Sequence, residues 1–149
     1  MQPPKPTALH MLLSICALLG SIAQAQSTGQ NDLHINVLGL QNNQGQVVAN
    51  LFEEGADVFG KPHTRQIQTI AERKAVVTFR NVVDGRSALI VFHDVNGNND
   101  LDHSFLRLPV EPLGLSNGFE LTLVSGMPSF RKLAFTAGPE TKPLEITVK

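Results

Sequence analysis

Apolar residues recur along much of this chain at every second position, not at every third or fourth. Leu33, Ile35 and Val37 alternate with His34 and Asn36, the period of a strand with one buried face. After the turn-forming QNNQG of residues 41–45, a strand pattern resumes over 46–52, so the two runs read as a hairpin. Residues 54–64 hold Gly55, Gly60 and Pro62 and read as a loop. Residues 66–71 form a weaker strand pattern, and residues 75–80 (AVVTFR) a stronger one, β-branched and aromatic. After the Asp84-Gly85 turn, residues 87–93 (SALIVFH) are almost continuously apolar. Such a run suits a central strand covered on both sides, or one with a mostly buried face. Residues 94–117 are irregular, whereas 119–124 (FELTLV) and 144–148 (LEITV) alternate again. Residues 129–135 fit either one or two helical turns after Pro128 or a short strand at 132–136. About seven short strands and almost no helix predict an all-β fold, an antiparallel β-sandwich, with a small barrel as the alternative.

The beginning of the chain follows a different pattern. One Lys and three Pro precede the apolar run MLLSICALLGSI, which ends at Ala23-Gln24-Ala25. A short charged start, an apolar stretch of about a dozen residues and an A-x-A end predict a secretory signal over residues 1–25. The stretch is short of the roughly 20 residues a membrane span requires, and no later apolar run is longer. Residues 26–149 then form a single domain, exported to a periplasm or secreted. Cys16 lies inside the predicted signal and is the one cysteine of the chain. The exported part therefore has no disulfide and no thiolate chemistry, and its stability must come from its core or from an ion.

Composition excludes some functions. The formal net charge is −1, with 12 Lys+Arg against 13 Asp+Glu. A nucleic-acid partner would call for a basic stripe, which is absent. There is no Trp and no Tyr, so stacking platforms would have to come from Phe. Gly-rich phosphate loops and Cys/His clusters are also missing.

The most informative segment is HDVNGNNDLD, residues 93–102. Oxygen-bearing side chains fall at alternate positions: Asp94, Asn96, Asn98, Asp100 and Asp102. Calcium takes six to eight oxygens, and a loop coiled around it presents every second side chain inward. Gly97 permits a sharp bend, and Asn99 tolerates the left-handed conformation at a position where an EF-hand loop places Gly. Phe105 stands where that loop would have a bidentate Glu, and the flanks read as strand and loop. A calcium site here would need completion by backbone carbonyls, water or Glu111, with His93 as a supporting residue. The competing reading is an ion-free polar turn, since Asp, Asn and Gly cap their own backbone in Asx-turns.

Residues 84–117 resemble the bacterial exported family called domain of unknown function 2141. The family shares a strand-and-loop signature to which Gly85, Ala88, Phe92, His93, Asp94, Asn96, Asn98, Leu101 and Asp102 correspond. A following segment is matched by Pro109, Glu111, Gly114, Ser116 and Asn117, and a closing one by Pro128, Phe130, Ala134 and Phe135. Arg107, Pro112, Leu113 and Leu115 depart from the commoner family residues. The resemblance implies a secreted or periplasmic immunoglobulin/transthyretin-like sandwich, similar also to collagen-adhesin B-like modules. It implies no activity.

Three functions follow as expectations. The first is a non-enzymatic binding module with calcium in the loop, the segment 111–117 serving as its recognition surface. The second is a periplasmic enzyme using His93 with Asp94 or Glu111. The third is an ion-free interaction module for an envelope protein. A hydrolytic triad of Ser116, His93 and Asp94 lacks the sequence of a nucleophile elbow.

Overall fold

A computed structural model describes residues 1–2, 29–106 and 108–149. The predicted signal and Cys16 lie outside the described residues. Eight strands and one helical turn follow in order: β1 (Gln30–Leu38), β2 (Gln46–Glu53), β3 (Thr64–Thr69), β4 (Ala75–Val83), β5 (Gly85–Asp94), β6 (Leu113–Leu115), α1 (Phe130–Leu133), β7 (Phe135–Ala137) and β8 (Leu144–Thr147). They form two sheets. One has the order β4-β1-β8; the other has β3-β2-β5-β6, with β7 paired to the early part of β5. The all-β sandwich expected from the two-residue period is the observed class, and its pairings are antiparallel except for β1 with β8.

The main core lies between the sheets. Leu33, Ile35 and Val37 of β1 and Ala75, Val77 and Phe79 of β4 meet Val47, Ala49 and Leu51 of β2 and Leu89 and Val91 of β5. Fully burying a side chain of this size contributes roughly 1.5–3 kcal/mol. Alternation sends the intervening residues to the opposite face. On the larger sheet that face is also covered. Phe52, Ala88, Ile90 and Leu115 pack there under Leu133, Phe119, Leu121 and Phe130. Strand β5 is therefore buried from Ser87 to Asp94, which explains why its sequence is a continuous apolar run.

Three expectations are corrected. Strands β1 and β2 do not form a hairpin, because they belong to different sheets. The segment between them is a crossover: Leu40 is buried, and Gly39 takes a φ of +82° where a Cβ would collide with the carbonyl of Val148. Residues 119–124 are not a strand. Asn117 and Gly118 both turn left-handed, at φ 59° and 63°, and the chain leaves the sheet edge without a ladder partner. Thr122 and Ser125 then tie a local turn through reciprocal hydrogen bonds of 2.8 and 3.0 Å. Conversely, β6 emerges from the stretch read as irregular. Three residues after a proline carry too little pattern to be recognised. The two readings of 129–135 are both realised in part, as one turn of helix followed by β7.

Candidate functional site: a clamped acidic loop beside an apolar cavity

Strand β5 ends at Asp94, which points to the outer face of the larger sheet, in line with Ile90 and Phe92. Its neighbour across the ladder is Gln46. The chain then doubles back over the strand end, with Gly97 at φ 74° and Asn99 at φ 68°. Both left-handed positions are the ones the sequence suggested. The loop wraps around the Asp94 carboxylate. Its Oδ1 accepts the backbone N–H groups of Gly97 at 2.7 Å and Asn98 at 3.2 Å. Its Oδ2 accepts the N–H of Asn99 and the Gln46 amide, both at 2.8 Å. Burial works to raise the Asp94 carboxyl pKa, but these four donors outweigh it and hold the group below its ordinary value.

Glu111 closes the loop from the other side. One of its carboxylate oxygens accepts the N–H of Val95 at 3.0 Å and the other that of Asp102 at 3.2 Å. The two ends of the loop are thus held by a single buried side chain. On the outside, Asn96 and Asn98 each accept a backbone N–H two residues ahead, at 2.9 and 2.8 Å. Their amide nitrogens donate to the two oxygens of Asp102, at 2.6 and 3.1 Å.

The five alternating residues therefore divide. Asn96, Asn98 and Asp102 converge. Asp94 lies inside, with both oxygens engaged by its own loop and Gln46. Asp100 turns outward, 4.0 Å from the Arg65 guanidinium. Among the described residues no group of three or more His, Cys, Asp or Glu comes together in a way that could hold a metal ion. The converging trio has one carboxylate and two amides.

His93 and Asp94 point to opposite faces of the sheet, as consecutive strand residues must. His93 is buried at the end of the main core, where its Nε2–H donates to the Gln44 carbonyl at 2.7 Å. Its Nδ1 has no partner. Ser116 is also buried and bonds backbone: it accepts the N–H of Leu89 at 2.9 Å and donates to the Leu133 carbonyl at 2.6 Å. The imagined triad is not assembled.

Sequence reading missed three residues. Gln46 donates to Asn99 as well as to Asp94, at 2.8 Å. Asn50 and Arg65 face each other across β2 and β3, with Arg65 Nε donating to Asn50 Oδ1 at 2.8 Å. Arg65 also reaches the carbonyl of Asn99 at 2.8 Å. The one available signal was Asn50, a polar residue between Val48 and Phe52 in the middle of a strand. Beside this pair, between the sheet and residues 101–128, lies a cavity of about 670 Å³.

A two-sheet sandwich with its central strand buried on both faces, extended by a loop closed on Asp94 and Glu111, defines the class of protein. The chain belongs to the bacterial family described as "Uncharacterized protein conserved in bacteria (DUF2141)", matched over residues 35–145. Comparison with curated proteins and with solved structures gave no match.

Proposed function

We propose that this protein is an exported, non-enzymatic β-sandwich binding module for a ligand or an envelope partner. The supporting observation is how the chemistry-bearing side chains are used. Asp94 and Glu111 bind backbone N–H groups of their own loop, and His93 leaves the opposite face of the sheet from Asp94 and bonds the Gln44 carbonyl. Acid–base catalysis requires a group within reach of a substrate proton, and these three are turned toward the fold.

Within this reading, calcium binds weakly on the outer side of the loop through Asn96, Asn98 and Asp102. The amide oxygens of Asn96 and Asn98 keep the backbone N–H groups they accept and offer their second lone pair to the ion, while the amide nitrogens release Asp102. Backbone carbonyls and water supply the remaining ligands, with a dissociation constant on the order of 10⁻⁴–10⁻³ M. Calorimetric titration with calcium tests this. Heat of binding that disappears in Asp102→Ala supports the site. Melting curves identical with and without millimolar calcium remove it.

A second reading, an ion-free interaction module, is favoured by the four filled acceptor positions on Asp94. It predicts partner capture that a chelator leaves unchanged.

A further inference from the structure

We propose that the cavity on the outer face of the larger sheet binds a single-chain amphiphile with an anionic head group. The head lies at Arg65, and the tail lies among the exposed side chains of Phe59, Leu108 and Met127, above the buried floor. This rests on the binding-module reading and names its ligand class.

The cavity has about 670 Å³, within the range of small-molecule sites. Its floor is sheet and its lining is mostly apolar, with Asn50, Arg65 and His103 as its polar side chains. Among the described residues lining it, Arg65 is the one permanently charged side chain, and none is a carboxylate. Its rim exposes Phe59 at 60%, Leu108 at 51% and Met127 at 60%. Grouped apolar side chains on a free surface mark a place where something apolar docks.

The charge has a fixed direction. Asn50, buried in the floor, holds Arg65 through Nε, and the carbonyl of Asn99 holds Nη1. Nη2 has no hydrogen-bond partner among the described residues. Asp100 is 4.0 Å from Nη1 with its side chain 84% exposed, so it competes weakly for the guanidinium. With Nε and Nη1 engaged, Nη2 is the nitrogen left to donate to a carboxylate or phosphate. The adjoining void of about 820 Å³ shares Leu108, Leu113 and Leu121 but carries Glu111, Glu120 and Glu145 against a single cation, Lys149, which is already paired with Glu120. Those carboxylates disfavour an anion there and leave the Arg65 end for the head group.

The test is titration of the calcium-free protein with dodecanoate below its micellar concentration, read by calorimetry and native mass spectrometry. Dodecyl phosphate, dodecyltrimethylammonium and dodecanol are run beside it. One dodecanoate per chain is expected, with the cationic amphiphile at least tenfold weaker. Dodecyl phosphate binding more tightly than dodecanoate would point to a phospholipid-derived ligand, and the reverse to a fatty acid; either supports the proposal. Arg65→Gln should weaken dodecanoate tenfold or more and leave dodecanol unchanged. Ile90→Trp, which fills the floor, should weaken both. Because Arg65 also anchors the loop, the head-group comparison on the unaltered protein stands independently of that variant. Equal affinity for both charges, or no saturable binding, overturns the proposal. Calcium uptake without amphiphile binding overturns this inference alone and leaves the binding module standing.

Discussion

Gln46 donates to Asp94 at 2.8 Å from the position directly across the β2–β5 ladder. The same amide nitrogen reaches Asn99 on the far side of the loop, also at 2.8 Å. One strand residue thus joins the end of β5 to the loop that follows it. The acidic loop is an extension of the sheet, fastened from beneath by Gln46 and Asp94 and from the side by Glu111.

Replacing Asp94 should be costly. Asp94→Ala removes four acceptor contacts made by a buried carboxylate, a loss of about 1–3 kcal/mol. Asp94→Asn should recover little of it. One oxygen becomes a donor, and the backbone N–H groups around it cannot reverse. Urea unfolding of both variants checks this; an Asn variant as stable as the parent would contradict the geometry.

Acid should act through the same group. The native Asp94 carboxyl is held below 3.8, its ordinary value, by hydrogen bonds that overcome burial. The stability it contributes is complete above that value and fades as pH falls through the lowered native one. Unfolding free energy measured from pH 6 down to pH 2 should therefore decline at the acid end. In Asp94→Ala the decline should be shallower.

Ser116 fastens α1 to β5 by bridging the Leu89 N–H and the Leu133 carbonyl. Ser116→Ala leaves both groups buried without this partner and should cost about 1–3 kcal/mol. If hydrolysis depended on the hydroxyl, a model ester would be cleaved by the parent and not by the variant. No cleavage by either is expected.

Gly114 lies where β6 passes the end of β8. A Cβ there would stand 2.5 Å from Ile146 Cγ2 and 3.0 Å from the Thr147 carbonyl. Two backbone bonds between Leu113 and Lys149, at 3.1 and 3.2 Å, hold the segments together at this point. Gly114→Ala should therefore destabilise by about 1–3 kcal/mol through overpacking, and thermal melting will show it. Glycine at 114 is needed for close approach, which a sequence signature alone does not reveal.

The strands β1 and β8 were legible because alternation is a local property of residues two apart, β4 from its β-branched and aromatic residues, and β2 and β5 as runs set off by turn residues. So were the bends at Gly97 and Asn99, since left-handed backbone selects few residue types. The continuous apolar run of 87–93 announced a central strand, covered on both sides or with a mostly buried face, and the structure shows the first. What covers it depends on residues 113–133, whose own local pattern is weak or misleading: FELTLV alternates yet has no strand beside it to complete a ladder.

Sequence by itself determined that this protein is all-β, a sandwich or a small barrel, and that oxygen-bearing side chains gather after β5. Tertiary structure decided where those oxygens point. Asp94 turns to N–H groups three to five residues ahead and to Gln46, Glu111 to the two ends of the loop, Asp100 to Arg65, and Asn96 and Asn98 to Asp102. The loop closes on itself, and Gln46, Arg65 and Glu111 reach it from other parts of the chain. Residue spacing fixes which face of a strand a side chain leaves from. Its partner is fixed by the strand or loop that folding brings opposite, as Gln46 meets Asp94 from 48 residues away.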